Sequence, residues 1–510
     1  MNLSRLLATG SLIIASLSTW AQRSDTTYNQ IYRPQYHFSP RINWTNDPNG
    51  LVYYDGEYHL FYQYNPFGIR WGHMTWGHAV SPDMFHWKEL APAIPEDANG
   101  MAFSGSCVID TKNTSGFSKN GKTPMVAIYT NHREDNQSQY LAYSLDRGRT
   151  WTKYSGNPVI DLKEANFRDP NVFWHEPSKR WVMVAMLAKQ NRALFFTSKN
   201  LKQWEKTGEF ASPDSPAGIW ECPALLEVPV EGSKRSKWLF LLSMGEKGGV
   251  AGGTGMQYFV GDFDGKRFTS EFKQGDVRYL DYGKDYYAAI PFNNTTRRVS
   301  LGWLNNWQYA NEIPTTPFRG AMTLPRELRL IKTKNGYEIR QQVVNELRPL
   351  TSDSFQWRGM DTRELNRSLD SNHIKGETYV LTLEAETGGK AAAGDMGVKV
   401  RKGTDEETVI GYDPIRQEVY VDRTHSGKTR FSKEFTGRFA APLKKAAGEG
   451  STPARLKLQI YVDRSSVEVF VSDGQVTLTN LIFPKPDSRG LEFFGNGFRA
   501  VTIRNVESVW

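Results

Sequence analysis

Five segments in the first 330 residues open on an acidic or hydroxyl-rich cluster and continue into an apolar, strand-like run. They begin Asn46-Asp47-Pro48-Asn49-Gly50, Phe103-Ser104-Gly105-Ser106, Arg168-Asp169-Pro170, Glu221-Cys222-Pro223 and Asp285-Tyr286-Tyr287. The openings at 47, 103, 168, 221 and 286 are spaced by 56, 65, 53 and 65 residues. A second apolar run follows in each unit: YHLFYQY, PMVAIYT, RWVMVAM, KWLFLLS and RRVSLGWL. A third element recurs before the unit ends, in which Ser81-Pro82-Asp83 leads to Trp87, Ser144-Leu145-Asp146 to Trp151, and Ser198-Lys199-Asn200 to Trp204. Asp or Asn turns the chain there, and the aromatic packs over the turn. Long repeats built from short strands, with little helix-period patterning, predict a β-propeller. Five units predict five blades, closed by the run at 322–330.

The rest of the chain has a different rhythm. A polar stretch runs through Lys332–Glu364, and from about Tyr379 alternating runs appear at short spacing. Ser466-Val467-Glu468-Val469-Phe470-Val471 alternates with a period of two, as a half-buried strand does. This is the rhythm of an antiparallel sandwich. The predicted class is all-β: a propeller over 33–335, a linker over 336–360 and a β-sandwich over 361–510.

The first 21 residues read as a targeting segment. Arg5 is the only charge before Arg23, Leu6–Leu17 is mostly apolar, and Thr19-Trp20-Ala21 puts small residues at positions −3 and −1 of a cleavage site. That is a secretory signal pattern, and it predicts an exported protein, periplasmic or extracellular, with no membrane insertion after cleavage. Aromatic residues are 13% of the chain, too many for a disordered one. Lys and Arg exceed Asp and Glu by 8, but no basic block marks a nucleic-acid binder. The two cysteines, Cys107 and Cys222, both fall near blade openings; a disulfide and two free buried thiols both fit. His73 and His78 are poorly spaced as a ligand pair, and no metal-binding motif is present.

The chemistry clusters at the openings. The first strand of every propeller blade lines the central channel, so equivalent strand ends meet at one mouth. Asp47, Asp169 and Glu221 are read as equivalent positions of units one, three and four. An Asp before Pro also serves as a turn former, but turn chemistry does not require the shared register. Three carboxylates in one pocket repel one another, which predicts a raised pKa on at least one. A protonated acid beside an ionised carboxylate is the pairing used in glycoside cleavage. Arg168 is placed to bind hydroxyls and keep carboxylates ionised. Trp44, Trp71, Phe103 and Trp307 suit either core or the apolar wall of a sugar site. Asn46 and Gln63 suit either hydroxyl ligands or structural amides.

Taken together and in order, these motifs resemble glycoside hydrolase family 32, the β-fructofuranosidases. The resemblance rests on Trp44–Gly50, Phe103-Ser104-Gly105, Arg168-Asp169-Pro170, Trp220-Glu221-Cys222-Pro223, and the segments 302–310 and 317–327. Tyr461–Phe470 is similar to the family's sandwich signature. The motifs are most like those of bacterial and fungal exo-acting fructanases. The resemblance implies Asp47 as nucleophile, Glu221 as acid/base and Asp169 as stabiliser of the transition state. It implies a fructose subsite lined by Trp44, Asn46, Gln63, Trp71, Phe103, Ser104, Arg168 and Trp307. It also implies net retention with carboxyl groups roughly 5–5.5 Å apart, a neutral carbohydrate substrate (levan, inulin or sucrose), and neither metal nor cofactor. A fructosyltransferase of the same family, an arabinan- or xylan-cleaving propeller and a non-catalytic glycan-binding propeller are the alternatives. Thr45 and Ala224 depart from the family's usual residues beside the site.

Overall fold

A computed structural model describes residues 27–213, 218–359, 361–387, 394–443 and 455–510. The expected signal segment, 1–21, lies outside the described residues. Five antiparallel sheets form the N-terminal part. Their inner strands are Asn43–Tyr54, Met101–Ile109, Phe167–His175, Trp220–Pro229 and Tyr287–Pro291. Each inner strand pairs with the next strand of its own sheet, and the chain meanders outward from there. The inner strands touch one another in order, and the fifth touches the first. Phe318–Arg319 leaves the fifth unit and pairs, parallel, with Asn43 and Trp44 of the first sheet, which ties the two ends of the array together. Gly320 makes this possible: its φ is +93°, and a Cβ there would meet the Thr45 carbonyl at 2.2 Å.

The recurring Ser/Asp–Trp element is a hydrogen-bonded turn in three sheets. Ser81, Ser144 and Ser198 each donate a side-chain hydrogen bond to the acid or amide two residues on. That residue then accepts backbone N–H groups further along. The indoles of Trp87, Trp151 and Trp204 donate to the carbonyls of Met84, Gly148 and Leu201, three residues back. All three carbonyl-bearing residues have positive φ. The repeat legible in sequence is therefore a repeated backbone conformation capped by an indole.

The C-terminal part is a β-sandwich. One sheet has six strands: Thr351–Arg358, Phe498–Val506, Tyr379–Glu386, Arg455–Asp463, Ser466–Val471 and Val476–Leu481 in spatial order. The other has five: Arg438–Pro442, Glu418–Asp422, Thr408–Asp413, Met396–Lys402 and Gly490–Phe494. Aliphatic side chains of both sheets, including Leu381, Val398, Ile410, Ile460 and Ile503, fill the space between them. Among the described residues no helix is long and apolar enough to cross a membrane.

The linker expected at 336–360 is mostly strand. Gly336–Val343 is the outer strand of the fifth sheet, and Thr351–Arg358 pairs with Phe498–Val506 in the sandwich. Both are edge strands with many solvated side chains, so their polar composition reads as a linker in sequence. Ser466–Val471 differs too: all six residues are buried. One face packs in the sandwich core. On the other, Glu468 meets Arg326 of the fifth sheet and His37 of the N-terminal segment.

Candidate active site

All five inner strands slip register at the same depth. The slips fall between Thr45 and Pro48, Ala102 and Gly105, Arg168 and Asn171, Glu221 and Ala224, and Tyr287 and Ile290. Two residues in each strand are thus released from pairing, as in a β-bulge, which re-aims side chains at a sheet edge. Asp169, Cys222 and Ala288, the first released residues of the last three strands, have φ of +62°, +43° and +52°. This corrects the sequence reading of equivalent positions. Asp47 is the second released residue of its strand, Asp169 the first, and Glu221 the paired residue just before the bulge. The three acids stand one step apart along the repeat and still converge, because the bulges turn them to the same mouth.

They face a cavity of about 320 Å³ lined by Asn46, Asp47, Gln63, Trp71, Phe103, Ser104, Arg168, Asp169, Glu221 and Trp307. Every expected site residue but Trp44 is there. Trp44 is fully buried behind the wall, where it stacks on Trp307 and donates its indole N–H to Asn46 Oδ1 at 2.7 Å. Its bulk suited a sugar platform, but it braces two residues that do line the cavity. Thr45 and Ala224 are also fully buried and outside the lining. Trp71 is 42% exposed at the rim, edge-on to Phe103.

The carboxylates have contrasting partners. Asp47 accepts from Asn46 Nδ2 at 3.1 Å on one oxygen and from Ser104 Oγ at 2.9 Å and Cys222 Sγ at 3.4 Å on the other. Asp169 accepts the backbone N–H of Cys222 at 2.9 Å, and its own N–H donates to Thr130 Oγ1. Glu221, with a side chain 20% exposed, accepts Arg168 Nε and Nη2 on Oε1 at 3.1 and 2.9 Å, and the Tyr287 hydroxyl on Oε2 at 2.5 Å. Burial, and then the Glu221 charge, push Asp47 above its ordinary value. Burial pushes Asp169 up to about 7, against the pull of Arg168 and with the push of Glu221. The expected upward shift is present and falls on the two aspartates.

Cys107 and Cys222 are both free and buried. Cys107 packs in the core between the first two sheets, whereas Cys222 Sγ lies against Asp47 and Asp169. His73 pairs with Glu96 at the surface, while His78 is buried on His59, so the two histidines do not share a site. Among the described residues no three His, Cys, Asp or Glu side chains are grouped to hold a metal ion.

His132, Gln137 and Tyr287 escaped the sequence reading. Gln137 accepts Arg168 Nη1, and His132 stacks under Phe103 with ring centroids 4.2 Å apart. Both come from the tip of the second sheet's hairpin, between the marked run PMVAIYT and Ser144. Tyr287 was legible in principle, since it holds the same place relative to its bulge as Glu221 and Arg168.

The family model for the N-terminal domain of glycosyl hydrolases family 32 matches residues 37–342, and that for the C-terminal domain matches 346–509. The chain belongs to this family. It is therefore a glycoside hydrolase, and its site residues sit in the family's N-terminal domain. It is 46% identical to a levanase of Bacillus subtilis, over 98% of this chain and 74% of that one. It is 39% identical to an extracellular exo-inulinase of Aspergillus awamori, over 95% and 96% of the two chains. The crystal structure of exo-inulinase from A. awamori superposes with a TM-score of 0.87 at 38% identity, over 95% of this chain and all of that one.

Proposed function

We propose that this protein is an exported, retaining exo-β-fructosidase that releases terminal fructose from levan or inulin, and from sucrose. We read the five sheets as the blades of a five-bladed β-propeller over 33–343, with the sandwich over 351–510. The observation that carries the reading is the pair of contrasting carboxyls on one cavity. Asp47 is deep and gripped by three donors that fix its direction, as an attacking nucleophile requires. Glu221 lies nearer solvent, with one oxygen on Arg168 and the other on Tyr287.

In the first step an Asp47 oxygen attacks the anomeric carbon of the terminal fructosyl unit. The glycosidic C–O bond breaks, and the Glu221 carboxyl gives its proton to the departing oxygen. In the second step the Glu221 carboxylate takes a proton from water, whose oxygen displaces Asp47 from the same carbon. Fructose leaves with its configuration retained, and Glu221 is again protonated. Asp169 accepts hydrogen bonds from fructose hydroxyls and faces the positive charge that develops on the ring. Trp307 and Phe103 wall the ring, and Trp71 meets the leaving group at the rim. The three acids share one pocket of about 320 Å³ whose rim carries the exposed Trp71, and this supports cleavage of a terminal unit from the chain end. The relatives named levanase and extracellular exo-inulinase support the substrate class and export.

The test is sugar release from levan, inulin and sucrose by wild type and Glu221→Ala. Fructose is expected as the sole early product, lost in the variant. Products longer than the substrate at high sucrose would make the protein a fructosyltransferase. Affinity without turnover would make it a binding propeller.

A further inference from the structure

The inner strands end at a second cavity. It has about 300 Å³, close to the 320 Å³ of the first, and is formed by the far ends of the second to fifth inner strands and the 291–298 turn. Asn293 lines the second cavity. Its Nδ2 donates across the channel to the carbonyls of Cys107 and Val172 at 2.9 and 3.1 Å. Nothing in the proposed reaction uses this far mouth.

Its lining is unusual for a structural floor. Phe173, Trp174 and Trp238, on neighbouring sheets, are only half-buried, and Phe173 and Trp238 stand 5.4 Å apart. Arg298 lies beside them. Its Nε donates to the Glu227 carbonyl and its Nη1 to that of Thr296, and among the described residues it forms no ion pair. Glu227 and Asn294 line the same hollow with exposed side chains. Aromatic faces suit the C–H patches of a sugar. A guanidinium, a carboxylate and an amide together supply donors and acceptors with no net charge. The first cavity offers the same kinds of group: aromatic walls, one arginine, carboxylates and amides.

We propose that this far mouth is a second, non-catalytic binding site for a neutral saccharide chain, which holds polymeric substrate on the enzyme. The choice of fructan as the polymer rests on the fructosidase reading; the site itself does not. Bound there, a chain meets the enzyme at the end opposite Asp47 and Glu221. The site therefore raises the local concentration of polymer without adding a subsite to the reaction.

Native gel electrophoresis through levan, inulin, dextran or polygalacturonate tests it, with Glu221→Gln as the parent and free fructose added to occupy the first cavity. Levan or inulin retards the parent, and Trp174→Ala or Trp238→Ala cuts the retardation at least threefold. In the otherwise native enzyme the same substitutions raise KM for polymer at least threefold and leave sucrose turnover within twofold. Arg298→Gln, which keeps the stem and removes the charge, gives a smaller effect in the same direction. Retardation unchanged by all three substitutions overturns the proposal. So does a parallel loss on sucrose, which would mark damage to the blades. Retardation by polygalacturonate but not by neutral polymers overturns the ligand class. If the native enzyme releases no fructose while dextran retardation still depends on Trp238, the site stands and the fructosidase reading falls.

Discussion

Two buried clusters in this molecule each hold three carboxylates, and they are neutralised differently. At the channel mouth Asp47, Asp169 and Glu221 share one cation, Arg168, which bonds to Glu221 and lies 3.9 Å from Asp169. Between the N-terminal domain and the sandwich, Asp281, Asp463 and Glu468 share Arg326 and His37. Asp463 also accepts the backbone N–H groups of Gln35, Tyr36 and Arg464, and Asp281 those of Gly283 and Thr479. Burial pushes Glu468 up, yet the Arg326 charge and the His37 hydrogen bond hold it below its ordinary value. The same burial leaves Asp47 and Asp169 raised. The cluster with two cations joins two domains, while the one with a single cation is left better able to take up and give away protons.

Substitutions should separate the two. Asp47→Asn is expected to lower kcat about 10⁴-fold and Glu221→Gln about 10²–10⁴-fold, with little change in melting temperature; initial rates on sucrose and a thermal melt check both. Arg326→Met at the junction leaves Asp281 buried without its cation and Glu468 with His37 alone. A destabilisation of about 3–5 kcal/mol should follow in urea denaturation, and equal stability to wild type would show that the junction cluster does not hold the domains.

The junction should also carry a pH signature. His37 is fully buried, and its hydrogen bonds to Asp463 and Glu468 raise it to about 9 despite desolvation. A raised folded-state value stabilises fully below the unfolded value near 6.5 and is lost as pH climbs through 9. Stability should therefore fall by about 2 kcal/mol between pH 7 and 10, and His37→Gln should flatten that slope. The active site should respond at the other end of the scale. Raised aspartates lose their charge as pH falls through their folded values, so the acid limb of kcat/KM lies above the ordinary carboxylate range. Arg168→Met, which removes the one cation, should move that limb up by about one further unit.

The repeat made much of this legible beforehand. It located the inner strands, the indole-capped turns and all three acids, because each unit must solve the same local problem of turning, pairing and facing the channel. It misplaced the acids by a step, since a bulge changes register without leaving a mark in composition. It left Trp44 between core and cavity wall, because pocket and core use the same aromatic side chains, and only the resemblance put it in the cavity. Gln137 and His132 stayed hidden because they reach the site through space, from a hairpin tip that carries no marked repeat residue.

Sequence by itself determined that strands alternate and pair locally, that five openings carry the polar chemistry, and that Asp47, Asp169 and Glu221 stand in three of them. Those are properties of short stretches, and short stretches are what a linear pattern encodes. Only the tertiary structure decided which carboxylates are neutralised. Arg326 meets Glu468 across 142 residues and His37 meets it across 431, whereas at the channel mouth Arg168 reaches Glu221 and Asp169 but not Asp47. Charge balance is settled by distance in space, and packing two domains sets those distances.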